Sequence, residues 1–150
     1  MIVSINGWPG VGKLTVGRVL AQRMNGRLLD NHRILDLATV ASEPGTDSFY
    51  ETVRALRKIV FHSLLALPLD VPIVLTNVVA RGGGSEENWE AVLELAAQRH
   101  CRLFAVRLTC SPSEHNRRLI QPVRLERGKM GDLNYSKTVP ILPMSSTTPI

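Results

Sequence analysis

Residues 7–15, Gly-Trp-Pro-Gly-Val-Gly-Lys-Leu-Thr, constrain the fold of this chain more than any other segment. They follow the apolar run Met1-Ile2-Val3-Ser4-Ile5 and precede Val16, Val19, Leu20 and Met24 at helical spacing. A strand, a glycine-rich turn, then Lys and Thr at a helix start is the context in which such a loop cradles phosphate. Gly7, Gly10 and Gly12 let the backbone take φ > 0 and turn its N–H groups around an anion. The helix starting near Gly12 aims its positive dipole end at the same place, and Lys13 adds a full charge that bridges the outer phosphates. The rival reading is a glycine turn with an incidental lysine. The segment is read as a nucleotide phosphate site.

The chain has 150 residues, a one-domain length that buries about two thirds of the unfolded surface. Hydrophobic residues at 44% and charged residues at 21% are ordinary for a globular protein. No apolar run approaches the roughly 18 residues of a membrane span, and the start lacks the charged segment and cleavage site of a signal peptide. A cytoplasmic protein without membrane attachment is therefore expected, with Cys101 and Cys110 as reduced core thiols. The formal charge of +5 suits nucleic acid or a small polyanion. Arg117, Arg118, Arg124, Arg127 and Lys129 are clustered while aromatic residues make up only 5%, which favours a phosphate-gripping segment over a nucleic-acid surface.

Strand and helix patterns alternate, as in an α/β domain with a parallel sheet. Strands are expected over 1–6, 27–30, within 71–80 and over 103–108. Helices are expected over 12–25 and 32–41, from Ser48 to before Pro68, from Ser85, and from Pro112. Ser48 with Glu51, and Ser111 with Glu114, have capping-box spacing, and Pro112 suits the first helical position. Residues 1–137 are read as the nucleotide-binding domain. Residues 138–150, rich in Pro, Ser and Thr, are read as a poorly ordered tail with at most an edge strand at Val139-Pro-Ile-Leu. A chain stopping there would leave a strand edge exposed, which predicts a solubility problem.

The loop resembles that of the nucleoside monophosphate kinases, which also reads Gly-x-Pro-Gly-x-Gly-Lys, then a non-hydroxyl residue, then Thr. The wider layout, over about residues 1–131, is similar to the small P-loop kinases of the shikimate, gluconate and chloramphenicol phosphotransferase-like group. Such proteins are often labelled AAA-family ATPases. The resemblance implies a three-layer α/β P-loop fold with a parallel sheet in the order 2-3-1-4, with room for a weak fifth strand. It also implies ATP and Mg²⁺ as cofactors and a small-molecule acceptor as partner.

Carried over position by position, Gly7, Pro9, Gly10, Val11, Gly12, Lys13, Leu14 and Thr15 would hold the ATP phosphates, with Arg118 and Arg127 closing from the lid side. The residue after the lysine, a Ser or Thr on Mg²⁺ in the commonest loops, is Leu14 here. Thr15 and Asp30 are the metal candidates, and Mg²⁺, which sheds water reluctantly, would be held mostly through water. Asp30 ends the second strand, at the sheet edge where ligands bind. In the small-metabolite kinases an acid there orients and deprotonates the acceptor hydroxyl. Its competing role is to cap the helix at Asn31-His32. Lys13, Asp30, Arg118 and Arg124 form the implied catalytic set; Asp30, His32, Arg33 and Arg81 form the substrate set. Arg54, Arg57 and Tyr50 fall in the segment that covers the acceptor in these kinases. The Arg117–Lys129 stretch occupies the lid's place, and its alternative is a solvated basic face. Arg117 and Arg118 lie about 100° apart on a helix, so one of them faces solvent.

The third strand ends in Thr76-Asn77 where the family commonly has a carboxylate. Either an amide replaces it, or the metal depends on Asp30 and the nucleotide. The leading expectation is an ATP-dependent phosphotransferase acting on a small molecule; the second is a nucleotide-binding regulator or decayed kinase. A mechanical AAA-type ring is disfavoured by the missing acidic Walker B strand and helical subdomain, and nucleic-acid binding comes last.

Overall fold

The computed structural model describes residues 1–79 and 85–122. Four strands alternate with five helices among them: β1 (Ile2–Asn6), α1 (Lys13–Arg23), β2 (Arg27–Asp30), α2 (Asn31–Ala41), α3 (Asp47–Leu65), β3 (Ile73–Asn77), α4 (Ser85–Gln98), β4 (Leu103–Arg107) and α5 (Pro112–Leu119). The sheet is parallel throughout in the order β2-β3-β1-β4, as expected. The 138–150 tail, its candidate strand, Arg81, Arg124 and Arg127 lie outside the described residues.

The two central strands are buried along their whole length, because helices cover both faces of the sheet. On one face Ile2, Ile73, Leu75 and Leu103 meet Val92, Leu95 and Ala96 of α4, with Leu64 and Leu65 of α3 beside them. On the other face Val3, Ile5 and Val74 pack on Leu20 and Ala21 of α1. Each such aliphatic side chain contributes about 1.5–3 kcal/mol when fully buried. A third cluster, Ile34, Ala38, Phe49 and Val53, joins α2 to α3.

Three local expectations are corrected. The cap of α3 is Thr46, not Ser48: the Thr46 hydroxyl accepts from the Phe49 amide at 3.2 Å. Thr46 takes extended backbone directly after the Pro44-Gly45 turn, so the helix begins before Ser48, whose hydroxyl instead lies 3.1 Å from that of Ser42. Cys101 and Cys110 are free thiols, as expected, but both are only half-buried; Cys101 packs on the rim of the α4 cluster. At α5, Ser111 caps the helix through the Glu114 amide at 3.4 Å and Pro112 takes the first position. The reciprocal half of that box is not what the Glu114 side chain makes; its carboxylate binds Arg117 and Arg118.

The strand order fixes where a ligand can enter. From β1 the chain crosses by α1 to β2, on one side of β3; from β3 it crosses by α4 to β4, on the far side of β1. The connections therefore diverge between β1 and β3, and a crevice opens at the carboxyl ends of those strands.

Candidate phosphate-binding site

Residues 7–12 run from the end of β1 across this crevice into α1. Gly7 has φ 151°, and a Cβ there would collide with the Leu108 backbone carbonyl, so only glycine lets the loop leave β1 this close to β4. Gly12, at φ 102°, occupies the N-cap of α1 without any side-chain cap, and the first turn carries no acidic residue. The open amides and the dipole of α1 thus face the crevice with nothing negative of their own. Lys13 Nζ donates to the carbonyls of Gly7 at 2.7 Å and Trp8 at 2.9 Å, which folds its charge over the loop.

Asn6, fully buried at the tip of β1, sets the entry to the loop. Its Oδ1 accepts from the amides of Gly7 and Val79, both at 2.8 Å, so one side chain ties the loop to the segment after β3. Asn77 is paired with Asn6 in register but works inward: its amide donates to Ser4 Oγ at 3.3 Å and its carbonyl accepts from Asn88 at 3.2 Å. An amide in the carboxylate's place at the end of β3 is therefore held by the interior.

Thr76, pointing to the opposite face, does the reverse. Its hydroxyl donates to Asp30 Oδ1 on the neighbouring strand and lies 3.4 Å from the Asn31 amide. Asp30 sits at the N-cap position of α2, yet makes no side-chain cap bond. It is 7% exposed and lines an open cavity of about 590 Å³ together with loop residues Pro9 to Thr15. His32, Arg18, Arg117 and Arg118 complete much of that wall, so the cavity is cationic around one carboxylate. Arg33 is exposed and lies outside this lining. Thr15 and Asp30 both line it and offer only oxygen donors, which fits a hard cation such as Mg²⁺ that keeps most of its waters. Among the described residues no cluster of three His, Cys, Asp or Glu side chains forms a protein-only cage.

From the far wall, Arg118 donates through Nη1 to the Val11 carbonyl at 3.1 Å and through Nε to Glu114 at 2.5 Å. Arg117 is the more exposed and forms a bidentate pair with the same carboxylate at 2.7 and 2.8 Å. The hydrogen bonds from Arg117 and then Arg118 hold the Glu114 carboxyl down to about 2, and the Arg117 guanidinium is raised in return. Beyond Asp30, Arg57 donates to Asn31 Oδ1 at 3.1 Å; burial lowers its pKa, with Glu87 acting against the shift. A larger groove of about 710 Å³ between α3 and α4, walled by Phe61, Leu65 and Leu95, has no glycine in its lining, and the first turn of α4 contributes the carboxylate of Glu87 to it.

Sequence reasoning passed over Asn6, Thr76 and His115 as site residues. A polar residue closing a buried parallel strand, as in Ile-Val-Ser-Ile-Asn and Ile-Val-Leu-Thr-Asn, was the available signal for the first two. His115 has none, because its partner, Pro9, is 106 residues away.

A family model described as AAA domain matches residues 3–129. The chain belongs to the AAA domain family. This AAA domain is 34% identical over 90 residues to the shikimate kinase of Corynebacterium glutamicum, a match that covers 56% of the chain and 46% of the relative. It is 35% identical over 100 residues to that of Thermobifida fusca, covering 62% and 51%. The match thus spans about half the length of these relatives. A solved structure from Chloroflexus aurantiacus superposes with a TM-score of 0.68 at 16% identity, over 97% of this chain and 80% of that one. That likeness establishes the fold. Among the described residues no helix is long and apolar enough to cross a membrane.

Proposed function

We propose that this protein is an ATP-dependent phosphotransferase acting on a small hydroxylic molecule. The observation that carries the reading is one cavity walled by the glycine loop with Lys13, by Arg118 and by the Asp30 carboxylate. The similarity to two shikimate kinases supports the class of reaction. The loop amides and Lys13 bind the β- and γ-phosphates, exchanging the lysine's bonds to Gly7 and Trp8 for phosphate oxygens. Asp30, with Thr76 donating to one of its oxygens, accepts the acceptor's proton and orients its hydroxyl for in-line attack. Arg118 offsets charge on the transferring group and Arg117 stands at the rim. His32 lines the acceptor's end of the cavity, and Arg33, Arg81, Arg124 and Arg127 belong to the same proposed reading by resemblance alone. Mg²⁺, reached by Thr15 and Asp30, would neutralise phosphate charge. Residues 1–137 are assigned to this unit.

One observation favours a second reading, a nucleotide-binding regulator without efficient transfer. Asn77 is bound into the Ser4–Asn88 network, so the end of β3 offers the crevice a hydroxyl and no carboxylate. Transfer of label from γ-labelled ATP to hydroxylic metabolites and nucleoside monophosphates separates the two, with Lys13→Ala and Asp30→Asn alongside. Label on a hydroxylic acceptor, lost in both variants, is expected. Transfer to a monophosphate that survives Asp30→Asn would reassign the acceptor class. A folded wild type that binds ATP without transferring it would establish the second reading.

A further inference from the structure

A loop that turns its amides inward to a phosphate must turn carbonyls elsewhere, and each of those needs a donor. The carbonyls of Gly7 and Trp8 accept from Lys13, that of Val11 from Arg118, and that of Gly12 from the Val16 amide within α1. Pro9 lies at the crest, and its carbonyl is met by Nε2 of His115 at 2.7 Å. A carbonyl oxygen only accepts, so Nε2 carries the proton in this bond. His115 is 8% exposed on α5, four residues after the Ser111 cap. Its ring edge and the Leu119 side chain one turn on lie against Gly10, at 3.5 and 3.1 Å from where a Cβ would stand. The capped start of α5 fixes the ring's height, and the ring fixes the crest of the loop.

The geometry points to His115 as a positioning residue for the phosphate loop: through the Pro9 carbonyl it holds the crest in the shape that presents the loop amides to a nucleotide. His115 is not among the residues that line the cavity, so it acts through the loop. The consequence for binding rests on the nucleotide reading above, whereas the consequence for loop shape does not. The bond is made by a donor at the Nε2 position, so a side chain that returns a donor there restores it and an apolar one of similar length does not.

The test uses the full chain with His115→Met, His115→Gln and Lys13→Ala, each checked by thermal midpoint. Two quantities are read: Mg-ATP affinity by calorimetry, and emission from Trp8 in a Trp89→Phe background without nucleotide. His115→Met is expected to weaken Mg-ATP roughly tenfold, as for a half-buried carbonyl that loses its donor, and to shift Trp8 emission. His115→Gln is expected to recover wild-type emission and most of the affinity. Wild-type affinity and emission in His115→Met would overturn the assignment. So would equal losses in both His115 variants tracking their thermal midpoints, since that describes core packing alone. If wild type binds no Mg-ATP the nucleotide reading fails by itself, and Trp8 emission still decides the loop-shape claim. Should His115→Met not fold, His115→Asn, whose shorter amide cannot reach Pro9, takes its place against His115→Gln with the same expectations.

Discussion

The two ends of the sheet bury polar side chains for opposite purposes. At the amino end, Arg99 is 2% exposed and donates through Nη1 to the carbonyls of Leu64 and Leu67, at 2.6 and 3.0 Å. Its Nη2 donates to those of Pro68 and Val71, at 2.9 and 3.5 Å. One guanidinium thus closes the last turn of α3 and the loop to β3, satisfying acceptors that a helix end leaves over. At the carboxyl end, Asn6, Asp30 and Thr76 are as deeply buried, but their bonds hold a loop and a carboxylate against an open cavity. Burial of a polar group does not by itself mark a site. What distinguishes the ends is whether the hydrogen bonds finish on the backbone that joins two elements, or on groups that hold a cavity open.

The comparison breaks most visibly at Lys13. If the carboxyl end serves phosphate, Lys13→Ala should lower the transfer rate about a thousandfold, as losing one preorganised charge does, while the thermal midpoint stays near that of wild type. Label transfer beside a melting curve checks both halves. A large drop in melting temperature with activity intact would mean that the lysine only braces its own loop.

Arg99 should behave in the opposite way. Arg99→Met removes the donor to several part-buried carbonyls and is expected to cost about 3 kcal/mol of stability, read by urea unfolding. The folded fraction should keep its nucleotide affinity. A change in affinity greater than about threefold would deny the separation of the two ends.

The sequence and the structure agree where the signals are local or repetitive. The span of β2 and the Ser111-Pro112 start of α5 follow from apolar runs and cap chemistry, whereas the order of the sheet came with the resemblance to the small P-loop kinases. The loop was legible because glycines and a lysine at fixed spacing carry their mechanism with them. Arg99 and His115 were not. Each is defined by bonds to backbone atoms 28–35 and 106 residues away, which no window of sequence contains. Thr76 and Asn77 were read as one unit, yet neighbours on a strand face opposite ways: Thr76 reaches Asp30 and Asn77 turns to Asn88.

Thr76 sharpens the comparison within the carboxyl end. Thr76→Val keeps the shape and removes the donor to Asp30 and the acceptor for the Asn31 amide. If Asp30 acts on the acceptor as proposed, stability should fall by about 1 kcal/mol and transfer by roughly tenfold, with Mg-ATP affinity nearly unchanged. A matching loss of nucleotide affinity would mean that the Thr76 bond holds Asp30 for the metal more than for the acceptor.

The smallest effect is expected at Glu114, on the rim of that same end, where solvent reaches the pair that orients Arg118. Its folded carboxyl is held down to about 2 by Arg117 and Arg118, against a usual value of about 4.3 when unfolded. A depressed carboxylate supports the fold above its unfolded pKa and loses that support as pH falls through the folded one. Between pH 8 and 5 the pair should therefore contribute nothing to any pH dependence, and it should open only as pH drops from about 4 towards 2. A carboxyl-detected NMR titration with a midpoint near 2 would bear this out. A midpoint near 4 would mean that solvent competes successfully for both arginines. Arg118 would then reach Val11 by its own bond, and the rim would owe its order to the half-buried His115–Pro9 contact beside it rather than to surface charge.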